Sequence, residues 1–220
     1  ILLADQQVDN QIGEEFGLGA SKCLLKSISD QRLLVQVERM LEKANIYANK
    51  LIRDELTTAY TRKYFKERAQ EEKERFLRGG GEFSAAAVDL DDFSQINTKH
   101  GHLTADKLLK DFVKFLRANL RRIDQIYRLR ADKFLLLFPS TEGKTAYKVI
   151  KRLKKKLAST DFSYQGSPIS FTFSAGVARL NDGRQEVNSL VERTKQALYT
   201  VKQTAKSEIK LVDSEFVPLT

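Results

Sequence analysis

Asp89-Leu90-Asp91 closes an apolar run that begins at Phe83. A carboxylate at the C-terminal end of a buried strand can hold Mg²⁺ against a triphosphate without disturbing the core, although an aspartate there also commonly caps a turn or a helix. Arg121-Arg122-Ile123-Asp124 offers different chemistry. A guanidinium can grip phosphate bidentately and stack on a base, and a carboxylate can accept from guanine N–H donors. Taken alone, those four residues also read as a solvated helix end. Arg130-Ala131-Asp132-Lys133-Phe134 sets a carboxylate beside an ammonium, and Lys144 to Leu157 is a basic segment carrying Arg152, most of whose charge reads as a solvated face.

The elements that must position these residues follow from periodicity. Ile1 to Leu3 and Lys22 to Lys26 read as short strands, with a helix from Gln6 to Phe16 between them, stopped by Gly17 and Gly19. A long helix starts at Ser29 and runs to about Arg53, with apolar residues Leu34, Val37, Leu41, Ala44, Ala48 and Leu51 in a heptad stripe that suits a coiled-coil or dimer stalk. Next come a helix through Tyr64 and Arg75, a triple-glycine break and the strand Phe83 to Leu90. A helix-loop-helix leads into the amphipathic segment Leu103 to Leu120. Gln125 to Leu129 and Phe134 to Phe138 read as the arms of a hairpin. The basic helix, a strand from Ile169 to Ala178, a helix from Val187 to Lys202 and a strand from Ile209 to Val212 complete the order. Helices and strands thus alternate, as in a sheet covered by helices.

With 220 residues and 41% hydrophobic content the chain can bury a core, and the net charge of +9 favours an anionic partner. The single cysteine, Cys23, excludes an internal disulfide framework and reads as core packing in a reducing cytosol. The longest apolar runs fall far short of the ~20 residues of a membrane helix, and no basic-then-apolar leader opens the chain, which is therefore expected to be cytoplasmic. Ile1 lies inside a strand-like run, so an upstream part of the natural protein is expected to be missing.

The run from Asp89 to Asp106 resembles the GGDEF, or diguanylate cyclase, family pattern DxDxFKxINDxxGHxxGD. Asp54-Glu55-Leu56-Thr57 with Arg62 (family DxLTGLxNRR), Ser174-Ala175-Gly176-Val177-Ala178 (SxGVA) and Ala197-Leu198-Tyr199 with Lys202 (ALYxAK) extend the likeness over Asp54 to Asp213. The resemblance implies an α+β fold with a central, mainly antiparallel sheet flanked by helices. It further implies that Asn97 and Asp106 contact a guanine, Asp89 and Asp132 a metal ion, and Lys202 a phosphate. Arg121 and Asp124 match the family's RxxD site for cyclic di-GMP, and Arg152 falls where the family often supplies another arginine.

Where the family has Gly-Gly-Asp-Glu-Phe, this chain reads Arg130-Ala131-Asp132-Lys133-Phe134. Two glycines let the hairpin backbone approach a nucleotide, and side chains now enter that space. Lys133 replaces a carboxylate on the metal side. Like charges ~4 Å apart at an effective dielectric of ~20 repel by about 4 kcal/mol, enough to lower metal occupancy roughly a thousandfold. Ser94 stands in place of a phosphate-contacting lysine, and Ala105 in place of a glycine. The loop is therefore read as degenerate, with no catalytic residues, and Asn97, Asp106, Lys202, Asp89 and Asp132 as vestigial.

Gly19 to Lys26 resembles the GADDYLxKP segment of response-regulator receivers, with Lys26 as the matching lysine, Ala4 in place of a switch hydroxyl and Ser27 in place of proline. The expected division is a receiver-like portion over 1–43, a linker helix over 44–53, a degenerate GGDEF domain over 54–213 and a tail over 214–220. The expected function is a non-catalytic cyclic di-GMP receptor that signals through protein contacts. The alternatives are a weak or regulated cyclase converting GTP to cyclic di-GMP, and a ligand-independent adaptor. No cofactor is required on this reading, Mg²⁺ entering only with GTP. A homodimer and a downstream protein are the expected partners, and neither a membrane nor a nucleic acid is.

Overall fold

The computed structural model describes residues 2–4, 23–25, 27–164, 166–180, 182–204 and 207–212. The chain forms two compact units, Ile1–Asn49 and Lys50–Thr220. In the first, β1 (Leu2–Ala4) pairs in parallel with β2 (Cys23–Leu25). The expected helix from Gln6 to Phe16, Lys26, and the side chains of Ala4 and Cys23 lie outside the described residues. α1 (Asp30–Ile52) is continuous, with Asp30 in its first turn where the helix dipole favours an acid. Of its stripe, Leu34, Val37 and Leu41 are exposed, and the side chains of Ala44, Ala48 and Leu51 are not among those described.

The second unit is built on a six-stranded mixed sheet. β3 is Tyr60–Thr61, β4 Phe83–Leu90, β5 Gln125–Arg130, β6 Lys133–Phe138, β9 Phe173–Leu180 and β10 Ile209–Val212. Their order across the sheet is β10-β9-β4-β6-β5-β3. The central pairings are antiparallel, and the outer pairs β10 with β9 and β3 with β5 are parallel. Four helices cover it: α2 (Arg62–Leu77), α3 (Phe93–Asn119), α4 (Gly143–Ala158) and α5 (Val187–Thr204). α3 is two helices joined at Gly101, whose φ of 79° admits glycine without strain.

The helices sit on opposite faces because β4 alternates. Ala86, Val88 and Leu90 pack with Leu109 and Phe112 of α3 and Ile150 and Leu153 of α4. Phe83, Ala85 and Ala87 pack with Phe65 and Ala69 of α2 and Leu190 and Leu198 of α5. All eight residues of β4 are buried, as expected of a central strand covered on both faces.

One element begins later than the alternation of Ile169, Phe171 and Phe173 suggests. Those three side chains do join the α3/α4 core, but the strand starts only at Phe173. Residues 169–172 are in no strand, and before them β7 (Ser163–Tyr164) pairs antiparallel with β8 (Ser167–Pro168). Period-two alternation reports which way side chains face, and an irregular segment packed on a core gives the same signal as a paired strand.

β9 and α5 approach closely at Gly176. A methyl group there meets the Thr194 carbonyl oxygen at 2.1 Å and the Leu198 nitrogen at 2.4 Å, both backbone atoms. Gly176→Ala should therefore force the helix off the sheet and destabilise the domain by about 3 kcal/mol, the upper end of overpacking costs. Urea unfolding followed by circular dichroism measures this, and an unchanged midpoint would refute the close approach.

Candidate functional site

Asp89 is on the same strand face as Ala85 and Ala87, so it points toward α5. Lys133 is directly opposite it in the β4–β6 register, and Ser174 opposite it on β9. Three elements thus converge on one buried carboxylate. The Lys133 ammonium pairs with Asp89 Oδ2, and the Lys202 ammonium from the last turn of α5 pairs with Asp89 Oδ1. Lys202 also stands 3.9 Å from Asp91 Oδ1, which accepts from the Ser174 hydroxyl at 2.7 Å. Burial pushes the Asp91 carboxyl up, against the pull of Ser174 and Lys202. Asp132 is pushed up by burial and by the Asp89 charge.

Asp89, Asp91, Asp132, Lys133 and Lys202 line a cavity of ≈ 480 Å³ together with Ser94, Asn97 and Ala131. Asn97 Oδ1 and Asp91 Oδ2 are buried without a hydrogen-bond partner among the described residues. Among the residues expected at a nucleotide, Asn97, Lys202, Asp89 and Asp132 come together here, whereas Asp106 does not line the cavity. Lys202, expected at a phosphate, is engaged by two aspartates. The turn at the cavity mouth keeps a glycine-like geometry: Ala131 has φ 42°, a left-handed conformation that strains a residue with a Cβ.

The second expected site lies at the far end of α3. Arg121, Asp124, Arg53, Arg117, Arg122 and Tyr60 line a cavity of ≈ 450 Å³. Asp124 accepts the Arg121 backbone N–H at 2.9 Å while its own N–H bonds the Arg121 carbonyl at 3.0 Å, so RxxD is also a closed turn. Burial pushes the Asp124 carboxyl up, opposed by that bond and by the charges of Arg121 and Arg152. Arg152 does not line the cavity. It donates to the Asn119 carbonyl at 3.0 Å on the adjoining rim.

Arg53, Tyr60 and Arg117 were not singled out by sequence reasoning, since they lie far from the motif in the chain. Arg53 stacks 3.9 Å above the Tyr60 ring and donates to the Thr58 carbonyl at 3.0 Å. Arg117 donates to the same carbonyl at 2.6 Å and to the Thr58 hydroxyl at 2.9 Å. Arg117 is in the last turn of α3, but Arg121 lies beyond the helix end after the extended Leu120, so helical spacing does not relate the two.

The chain belongs to the GGDEF family: the family described as "Diguanylate cyclase, GGDEF domain" matches residues 51–208. It is 32% identical to diguanylate cyclase DgcP of Pseudomonas aeruginosa over 82% of this chain and 28% of that protein. It is 24% identical to the response regulator PleD of Caulobacter vibrioides over 87% of this chain and 45% of that one. The chain spans less than half the length of the curated relatives it matches. Among solved structures, diguanylate cyclase SiaD of P. aeruginosa in complex with its activator SiaC is similar, with TM-score 0.69 and 29% identity over 84% of this chain and 70% of that one. The coiled coil and GGDEF domain of DgcB from Caulobacter crescentus, in complex with c-di-GMP, matches in fold with TM-score 0.76 and 20% identity, covering 83% and 96% of the two chains.

The Mg²⁺ typical of this family does not fit the residues present. Both oxygens of Asp89 are taken by ammonium groups, and no cluster of three ligating side chains occurs among the described residues. A hard divalent cation needs free carboxylate oxygens and is repelled by an ammonium in the same place. Lys133→Glu should therefore create a cation site where the parent has none. Mn²⁺ titration followed by electron paramagnetic resonance should show saturable binding in the variant, with at least a tenfold gain, and parent binding equal to the variant's would refute the closure.

Proposed function

We propose that this protein is a non-catalytic cyclic di-GMP receptor that binds the dinucleotide in the Arg121–Asp124 cavity and signals through protein contacts. The observation that carries this reading is the cavity itself: four arginines and one aspartate around a space that suits a small guanine dinucleotide. Guanidinium groups suit its phosphates and stack on its bases, and the Asp124 carboxylate suits guanine N–H donors. The loss of a usable metal position supports the absence of turnover, and the loop Arg130–Phe134 is then degenerate. The exposed Leu34, Val37 and Leu41 on α1 support self-association through that helix.

A second reading, a weak or regulated cyclase, is favoured by the relatives named diguanylate cyclases. Calorimetry with cyclic di-GMP beside a GTP turnover assay separates the two. Binding without turnover supports the receptor, turnover supports the cyclase, and neither leaves an adaptor.

Arg121→Ala removes charge-assisted bonds worth about 1.5 to 3 kcal/mol each, so cyclic di-GMP affinity should fall at least tenfold. Unchanged calorimetric affinity would sink the receptor reading. Affinity should also fall as salt rises, but less steeply than for a nucleic-acid binder. The pH response follows from Asp124, whose buried carboxyl sits above its ordinary 3.8. Its acceptor charge is present at neutral pH and is lost on acidification sooner than for an exposed aspartate. Affinity of the parent should weaken from neutral to mildly acidic pH, while Asp124→Asn should bind weakly throughout with a flatter profile.

A further inference from the structure

Beside the hairpin, on the α2/α5 face of the sheet, is a smaller concavity of ≈ 230 Å³. Four cations line it, Arg62, Arg130, Lys133 and Lys195, over an apolar floor that includes Ala87 and Leu198, and no carboxylate does. The four come from the start of α2, the end of β5, the start of β6 and the middle of α5. Two have partners: Lys133 on Asp89, and Lys195 on the exposed Glu192 at 2.7 Å. The side chains of Arg62 and Arg130 make no hydrogen bond or ion pair with any described residue.

Two unfavourable placements coincide here. Like charges gathered over an apolar floor repel more strongly than in open water. Arg62 is also the first residue of α2, whose first turn holds no acid, and the positive end of a helix dipole disfavours a cation and favours an anion. An anion in the pocket relieves both at once.

We propose that this pocket is a binding site for the phosphoryl end of a small polyphosphate. Its volume lies below the ~300–1,000 Å³ of pockets that enclose a drug-sized ligand, so it receives a terminal phosphoryl group and leaves the rest of the ligand outside. Two unpartnered guanidinium groups supply planar forks that match phosphate oxygens, and two ammonium groups add point charge. The four cations ring one concavity and form no stripe along which a nucleic-acid backbone can run. The site shares no residue with the Arg121–Asp124 cavity and stands independently of the reading given to that cavity.

The test is calorimetric titration of the whole chain, in EDTA, with pyrophosphate, GTP and guanosine. Pyrophosphate and GTP should bind, and guanosine should not. Arg62→Ala and Arg130→Gly should each weaken pyrophosphate about tenfold or more. Lys148→Ala, on the exposed face of α4, should change it less than about twofold. Tighter binding of GTP than of pyrophosphate assigns the phosphoryl group to a nucleotide, and equal binding assigns it to a free anion; both support the site. Absence of pyrophosphate binding at millimolar concentration, an affinity unchanged in Arg62→Ala, or an equal loss in Lys148→Ala from diffuse surface charge would each overturn it. An unchanged thermal midpoint in each variant separates lost binding from lost folding.

Discussion

Burial of β4 along its whole length fixes where charge can stand in the second unit. Asp89, near the end of that strand, is 1% exposed, and an isolated carboxylate there costs several kcal/mol in lost hydration. Its strand face leaves few elements able to reach it: β6 and β9 by direct opposition, and α5 from above. The chain places lysines on β6 and α5, and the three groups tie hairpin, sheet and helix together. What stabilises the end of β4 also occupies both oxygens of Asp89, while Asp91 Oδ2 in the same cavity accepts from no described group. Structural and metal-binding roles compete for the same two atoms, one held by Lys133 and the other by Lys202.

A second aspartate organises the opposite edge. Asp54, just after α1, accepts the Thr57 N–H at 2.8 Å and hydroxyl at 2.6 Å, and pairs with Arg128 of β5 at 2.9 Å. Burial pushes its carboxyl up, but the bonds from Thr57 and Arg128 outweigh burial and hold it below its ordinary value. This turn bends Thr58 to φ 60°, and the Thr58 carbonyl is where Arg53 and Arg117 converge. The Arg121–Asp124 cavity therefore depends on the turn as much as on the end of α3. Those two arginines repel, and burial together with the Arg53 charge lowers the Arg117 pKa. The shared carbonyl acceptor holds them side by side.

The larger helices and strands were legible in chain order because alternation and helical periodicity report directly on burial, as in Phe83 to Leu90 and Leu108 to Leu116, whereas the order of strands across the sheet and the two-residue strands β3, β7 and β8 were not. Arg121 and Asp124 were legible as a pair because a tight turn makes sequence neighbours spatial neighbours. Arg53 and Tyr60 were not, since their place depends on the parallel pairing of β3 with β5. Nor was the double engagement of Asp89. The Lys133 substitution is plain in the sequence, but its effect on both carboxylate oxygens requires the β4–β6 register and the length of α5. The start of β9 failed for the reason already given: facing and pairing are separate properties, and only the first leaves a periodic trace.

The charge of +9 is distributed in a way that composition cannot show. On α4 the lysines sit mainly in solvent, where screening leaves them little influence on stability. In the second unit's concavities the cations are held against apolar or aromatic surface, at Tyr60 in one and Leu198 in another, where the lower effective dielectric magnifies each charge. Lys133 lines both the cavity with the aspartates and the small cationic pocket. One ammonium therefore neutralises a carboxylate on one side and adds to a positive field on the other. Replacing it by an acid would change both sides together, freeing Asp89 Oδ2 on one and leaving Arg62, Arg130 and Lys195 as the cations of the other.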